Sequence, residues 1–270
     1  MLKSPLHSQK TMLLFILVAF LVFDLAWCNN LRSPQSENRQ ITQIFKSHKD
    51  SVVRVTVLDL TCYLTPNGRA GKTSHKWSMD GTVIGPNGLT VVSSIAADPW
   101  HTKTLIYWED SLKLKTVSNS REFILTSHDG HPVKMKLAGK IPELDLTLLL
   151  PIDEQIHLPS VQLEAGARPE LGDKVINIRR LSAAHDAVPA VDVVFVTAIM
   201  PEPHLSFMVD QCYPGCPIFD LQGNCLGVAL LSQVEPGKVR QYHDSRGGLS
   251  VRIVPAEVIL KSVASLLRVE

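Results

Sequence analysis

Residues 81–95 read Gly-Thr-Val-Ile-Gly-Pro-Asn-Gly-Leu-Thr-Val-Val-Ser-Ser-Ile. Two short runs rich in Val, Ile and Thr flank Pro86-Asn87-Gly88. Branched side chains suit the pleated sheet, Pro presets a turn angle, and Gly accepts the positive φ of a tight turn. The stretch therefore reads as strand, turn, strand. The same grammar extends outward in both directions. Residues 51–60 (SVVRVTVLDL) alternate apolar and polar side chains, the period of a half-buried strand. Pro66-Asn67-Gly68 is a second turn. Residues 123–127 and 133–138 flank His128-Asp129-Gly130-His131, which reads as a hairpin with an Asp-Gly turn. Residues 104–108 and 144–150 are further short strands, and a second series comes at 174–178, 191–198, 218–219, 226–231 and 248–254. This spacing suits an all-β sandwich or barrel and not alternating βαβ units. One helix closes the chain over residues 255–268. Pro255 fits its first position and Glu257 its first turn, while Val258, Ile259, Val263, Leu266 and Leu267 fall largely on one side.

Composition narrows the function. The chain has 270 residues, 45% hydrophobic and 20% charged, with 27 basic side chains against 26 acidic. That supplies a sizeable core and argues against overall disorder. The charge balance excludes a strongly basic nucleic-acid binder as the default reading. No collagen-like period, heptad run or solenoid repeat is present.

The start of the chain reads as an export signal. Lys3 and Lys10 precede an unbroken apolar run over residues 12–23. The run is short of the roughly 20 residues a membrane span needs, and it suits a signal-peptide core. Ala26 and Cys28 place small residues before a cut after Cys28. Lipidation of Cys28 and an uncleaved anchor are the alternatives. An exported chain of this kind resides in the periplasm, in the cell envelope or outside the cell, and meets a membrane only through this segment. Residues 29–44 are polar and read as a flexible lead-in.

Without residues 1–28, four cysteines remain: Cys62, Cys212, Cys216 and Cys225. An even number in an exported chain permits disulfides in three pairings. Cys212 and Cys216 lack the second half of a zinc site, and the Asp-Gly turn accounts for His128 and His131 without metal. No metal and no cofactor is expected.

Three segments, in order, resemble the trypsin-like serine proteases of the HtrA/Do (Deg) type. They are residues 81–97; the Asp129-Gly130 hairpin with Pro142-Glu-Leu-Asp-Leu-Thr-Leu-Leu149; and Gly172-Asp-Lys-Val-Ile176 with Cys212-Tyr-Pro-Gly-Cys-Pro-Ile-Phe219 and Gly223-Asn-Cys-Leu-Gly-Val228. The closing stretch from Leu249 to Glu257 is similar too, so the resemblance runs from about residue 45 to 268. It implies a chymotrypsin-like fold of two six-stranded β-barrels. Barrel one spans about 45–155, barrel two about 156–255, and the helix 255–268 comes last. Family members commonly carry a PDZ domain after that helix; none is expected here.

The resemblance also assigns the triad positions, and here the sequence departs from the pattern. Asp145 stands at the Asp position, Ile95 at the His position and Pro214 at the Ser position. Ile has no ring nitrogen to take a proton. Pro has neither a hydroxyl nor the backbone N–H that the nucleophile contributes to the oxyanion hole. Asp145 alone has no imidazole to orient and is expected to be structural, capping backbone amides or facing solvent. Ser93 and Ser94 read as polar residues at a strand end. The expected function is a non-catalytic homologue that grips an extended or unfolded peptide, or another protein partner. Two alternatives stand beside it: an active serine-type endopeptidase in a different register, and a cysteine-dependent hydrolase using Cys212 or Cys216.

Overall fold

The computed structural model describes residues 34–94, 115–166, 168–202, 204–232 and 250–267. The described residues from Gln43 onward form one compact unit. Twelve described strands close into two six-stranded barrels, ordered β1-β2-β3-β6-β5-β4 and β10-β11-β12-β9-β8-β7. Barrel one contains β1 (Val52–Leu64), β2 (Ala70–Val83), β3 (Thr90–Ser93), β4 (Lys115–Thr126), β5 (Pro132–Ile141) and β6 (Leu146–Pro151). Barrel two contains β7 (Lys174–Arg180), β8 (Pro189–Met200), β9 (Ser206–Val209), β10 (Pro217–Phe219), β11 (Cys225–Ser232) and β12 (Ser250–Pro255). This is the all-β, two-barrel architecture that the resemblance implied. The expected strand at 104–108 lies outside the described residues.

Alternation builds each barrel. Val53, Val55 and Val57 point inward from β1 and meet Phe123, Leu125, Val133 and Leu149. Val175, Val194, Val196, Phe207, Ile218 and Ile253 fill the second barrel in the same way. A third cluster joins them: Val91, Leu146 and Leu148 from barrel one pack with Val228, Leu230 and Val254 from barrel two and with Ile259 of the closing helix. Each fully buried side chain of this size contributes about 1.5–3 kcal/mol by leaving water. β6 explains its own unbroken apolar run. Leu149 enters the barrel-one core while Leu146 and Leu148 enter the shared one, so both faces of the strand are covered.

Two helices flank the barrels in sequence. α1 (Pro34–His48) is helical over the described part of the segment expected as a flexible lead-in, residues 29–44; residues 29–33 lie outside the described residues. Pro34 starts it, Glu37 sits in the first turn and Lys46 in the last, each sign matched to the helix dipole. Its last turn is held by tertiary contact: Ile44 is buried, and His48 stacks on Phe219 with ring centroids 4.5 Å apart. Burial lowers the His48 pKa. α2 (Ala256–Leu267) is the expected closing helix. Gly139 on β5 leaves room for it, since a Cβ there would lie 2.5 Å from Leu266 Cδ2.

Candidate functional site

Asp145 lies where β6 leaves a 3₁₀ turn at Pro142–Leu144, with φ of 57° in the left-handed region that Asp tolerates better than most residues. It is only 3% exposed. Antiparallel pairing sets Ser93 of β3 opposite Leu146, which brings residues 93 and 94 beside it. Ser93 Oγ donates to Asp145 Oδ2 at 2.5 Å, and the Leu231 N–H donates to the same oxygen at 2.9 Å. The Ser94 N–H reaches Oδ1 at 3.1 Å and the Asp145 carbonyl at 2.8 Å. Ser94 Oγ in turn bonds Thr147 Oγ1 at 3.2 Å. Burial pushes the carboxyl above the usual carboxylate range; the bonds from Ser93, Leu231 and Ser94 and the charge of Arg252 pull it back in part. The carboxylate thus caps amides from both barrels, one of the two structural roles foreseen for it. Ser93 and Ser94 were expected only as strand-end polar groups. Ser93 is buried, and its hydroxyl is a ligand of this carboxylate.

Pro214 sits in a tight turn ahead of β10. The Cys216 N–H donates to the Tyr213 carbonyl at 3.2 Å, and Gly215 has φ of 88°. Pro at the second position and positive-φ Gly at the third are the preferences of a type II turn. The turn is pinned on every side. The Gly215 N–H donates to the Ala229 carbonyl at 2.7 Å, and Thr82 Oγ1 donates to the Gly215 carbonyl at 2.7 Å. The Cys216 thiol donates to Asp80 Oδ2 at 3.3 Å. Arg179 lies over the Tyr213 ring, 4.6 Å from its centroid, and its Nε donates to Asp192 at 2.6 Å.

Asp80 is the residue that sequence reasoning missed. It is buried on β2, directly opposite Arg54 on β1, whose guanidinium donates to it at 2.8 Å. The Arg180 N–H of β7 also donates to it, at 3.2 Å. One carboxylate therefore holds the turn, barrel one and barrel two. The Arg180 side chain adds bonds to the carbonyls of Val52, Lys49 and Ala187 at 2.7, 3.2 and 3.4 Å. A signal was available: counting outward from Asn67 at the centre of the Pro66–Gly68 turn sets residue 54 against residue 80.

Among the described residues Cys62, Cys212, Cys216 and Cys225 are free thiols, not the disulfides that the even count permitted. Cys62 is on β1, while Cys212, Cys216 and Cys225 belong to barrel two. Burial pushes Cys212 up to about 12, with Asp210 adding to it, and Cys225 also to about 12. Cys216 is raised well above its ordinary value by burial and by Asp80. A thiol held protonated is a poor nucleophile. In the native protein at pH 8, iodoacetamide is expected to leave Cys216 and Cys225 unlabelled over minutes and to label both fully in denaturant. Rapid native labelling of either, read by peptide mass, would contradict this burial.

The other candidates are dispersed. Ile95 and Cys28 lie outside the described residues. Asp129 accepts from Ser127 Oγ and from the His131 N–H, which closes the hairpin turn. Among the described residues no group of His, Cys, Asp and Glu is placed to hold a metal ion. The structure brings Asp145 together with Ser93, Ser94 and Leu231, and brings Gly215 and Cys216, beside Pro214, together with Thr82 and Asp80. Among the described residues each cluster sets a carboxylate against a hydroxyl or thiol, and neither contains a histidine.

No protein-family model matches the sequence, and no curated protein does. Among solved structures, the chain is similar to the HtrA-type protease AlgW, captured as a Ser-to-Ala variant with a decapeptide. The TM-score is 0.57 at 13% identity, over 84% of this chain and 67% of that one. The likeness is one of fold, and with the two closed barrels it makes this chain a chymotrypsin-like two-barrel protein built like an HtrA-type protease.

Proposed function

We propose that the protein is an exported, non-catalytic homologue of trypsin-like proteases that binds an extended peptide or a protein partner. The observation that supports this reading is Pro214. At the position matching the nucleophile, Pro supplies no hydroxyl, no thiol and no N–H. The surrounding turn suits Pro and Gly, and its neighbours are committed to Asp80, Thr82 and Ala229. Asp145 is likewise committed, its oxygens taken by Ser93, Ser94 and Leu231.

The test is incubation of the purified chain without residues 1–28 with unfolded casein, beside a fluorophosphonate labelling lane. Neither cleavage nor labelling is expected. Cleavage that the fluorophosphonate blocks would reveal a serine nucleophile elsewhere and end this reading.

A further inference from the structure

We propose that the outer wall of β8, with the cavity its last residues line, is a docking site for a peptide segment that combines large apolar and basic side chains. β8 is apolar on both faces. Val194 and Val196 point into barrel two. Val191, Val193 and Phe195 take the alternate positions and face outward. Val193 and Phe195 are exposed there, Phe195 to 46%. The outward row of a barrel strand is ordinarily polar, as Lys134 and Lys136 of β5 are. Leu171, 69% exposed, extends the patch, because the Gly172 N–H beside it donates to the Val196 carbonyl at 2.9 Å. Apolar side chains scattered singly on a surface need no partner, whereas a row of them marks an interaction surface.

The row leads to a cavity. A bulge between Val196 and Ala198 shifts the register and sets Ile199 opposite Phe207. These two, with Pro169, Leu205 and Pro255, line a cavity of about 220 Å³. An apolar cavity of about 150 Å³ holds benzene, so this one has room for the side chain of Phe or Leu. Mouths of β-barrels are common ligand sites, and a pocket beside an apolar surface is where an anchoring side chain seats. Charge decides what flanks the anchor. Glu164 and Glu257 line the cavity too, together with Arg168, which pairs with Glu257 at 3.3 Å. Glu170 and Asp173 share the Leu171 turn, where the Glu170 N–H donates to the Asp173 carboxylate at 2.7 Å. The Asp210 carboxylate accepts from the Phe195 N–H at 2.9 Å, and Lys174 stands directly opposite Phe195. These five carboxylates outnumber the two cations, Arg168 and Lys174. Basic residues on the partner are therefore favoured and acidic ones repelled. The same excess disfavours a second copy of this chain and an anionic lipid surface.

This site gives the binding reading a place and rests on it. The two fail separately. Crosslinks elsewhere in the chain would end this placement and leave peptide binding standing; fluorophosphonate-sensitive casein cleavage would end the non-catalytic reading and leave this site untouched. The experiment is fluorescence anisotropy of the purified chain with a capped, labelled peptide of about eight residues alternating Lys with Leu and Phe. Benzoylphenylalanine in place of the Phe then locates the contact by photo-crosslinking. Saturable binding that weakens with added salt is expected, with crosslinks at Pro169, Phe195, Ile199 or Leu205. Phe195→Ser and Ile199→Ser, each at an exposed side chain, are expected to weaken binding roughly tenfold. Their thermal melts should match the parent's, which separates a lost contact from a lost fold. A peptide with Glu in place of Lys should not bind. The proposal is overturned by any of four results: no binding at about 1 mM peptide, crosslinks confined to other parts of the chain, an affinity indifferent to both Ser variants, or self-association of the chain that Phe195→Ser relieves.

Discussion

Asp145→Ala is expected to lower stability by about 4 kcal/mol, and the loss has nothing to do with catalysis. The substitution leaves the Ser93 hydroxyl and the Leu231 N–H buried without an acceptor and weakens the bonding of Ser94. An orphaned buried donor costs about 1–3 kcal/mol. Ala also tolerates the left-handed backbone less well than Asp, a further ~1 kcal/mol. For a domain of this size the sum corresponds to a fall in Tm of about 10 °C. Asn tolerates the same backbone and keeps one acceptor oxygen, so Asp145→Asn should cost about half as much. The pH dependence has a definite sign. Burial raises the Asp145 pKa, so over the window from the ordinary aspartate value to the raised one the folded chain keeps a proton that the unfolded chain releases. The stability that this proton linkage contributes is full below the window and is lost as pH rises through it. That slope should vanish in Asp145→Asn. A melt of Asp145→Ala within about 1 °C of the parent would contradict the whole arrangement.

The larger effect belongs to Gly215. A Cβ on this residue would stand 1.9 Å from the Asp80 carbonyl oxygen and 2.6 Å from its carbon, both backbone atoms of another strand. Neither can yield without separating β2 from the turn. The φ of 88° adds strain for any side chain. Gly215→Ala should therefore cost more than about 4 kcal/mol and leave little soluble protein. Gly130 is the control. It has nearly the same φ, 83°, and nothing within 4 Å of where a Cβ would stand. Gly130→Ala should cost only about 1 kcal/mol. Thermal melts of the two variants separate backbone strain from steric exclusion; equal losses would mean that the turn does not abut Asp80.

Many of the strands were legible because burial and alternation coincide, while their closure into two barrels was implied only by the family resemblance. Residues 51–60 show the inward row of β1, and the Pro66–Gly68 turn marks where the chain reverses. Residues 70–79 were not legible as a strand. Their run of Gly, Lys, Ser and His carries little sheet preference, and pairing with β1 holds them in place. The helical character of α1 was hidden by its polar residues, and its last turn depends on contact with Phe219, far along the chain. Asp145 could be singled out by likeness, but its acceptor role could not. Leu231 lies on another barrel, and no local pattern announces a bond across that distance. Asp80 was overlooked because a charged residue on a strand looks solvent-facing, although counting outward from the Pro66–Gly68 turn already sets it against Arg54.

β6 carries a consequence for how this sequence can drift. Most strands in the barrels have a face where substitution is cheap, since water covers it. Every residue of Leu146–Pro151 except Leu150 is buried. No position on it offers a free exchange, and a large-to-small change at Leu146, Leu148 or Leu149 opens a void costing about 2–5 kcal/mol. The strand beside Asp145 is held by packing on both faces and by backbone pairing with β3 and β5, so the architecture does not depend on catalysis. A surviving Asp-Leu-x-Leu-Leu stretch testifies to architecture, and it says nothing about whether a peptide bond is cut.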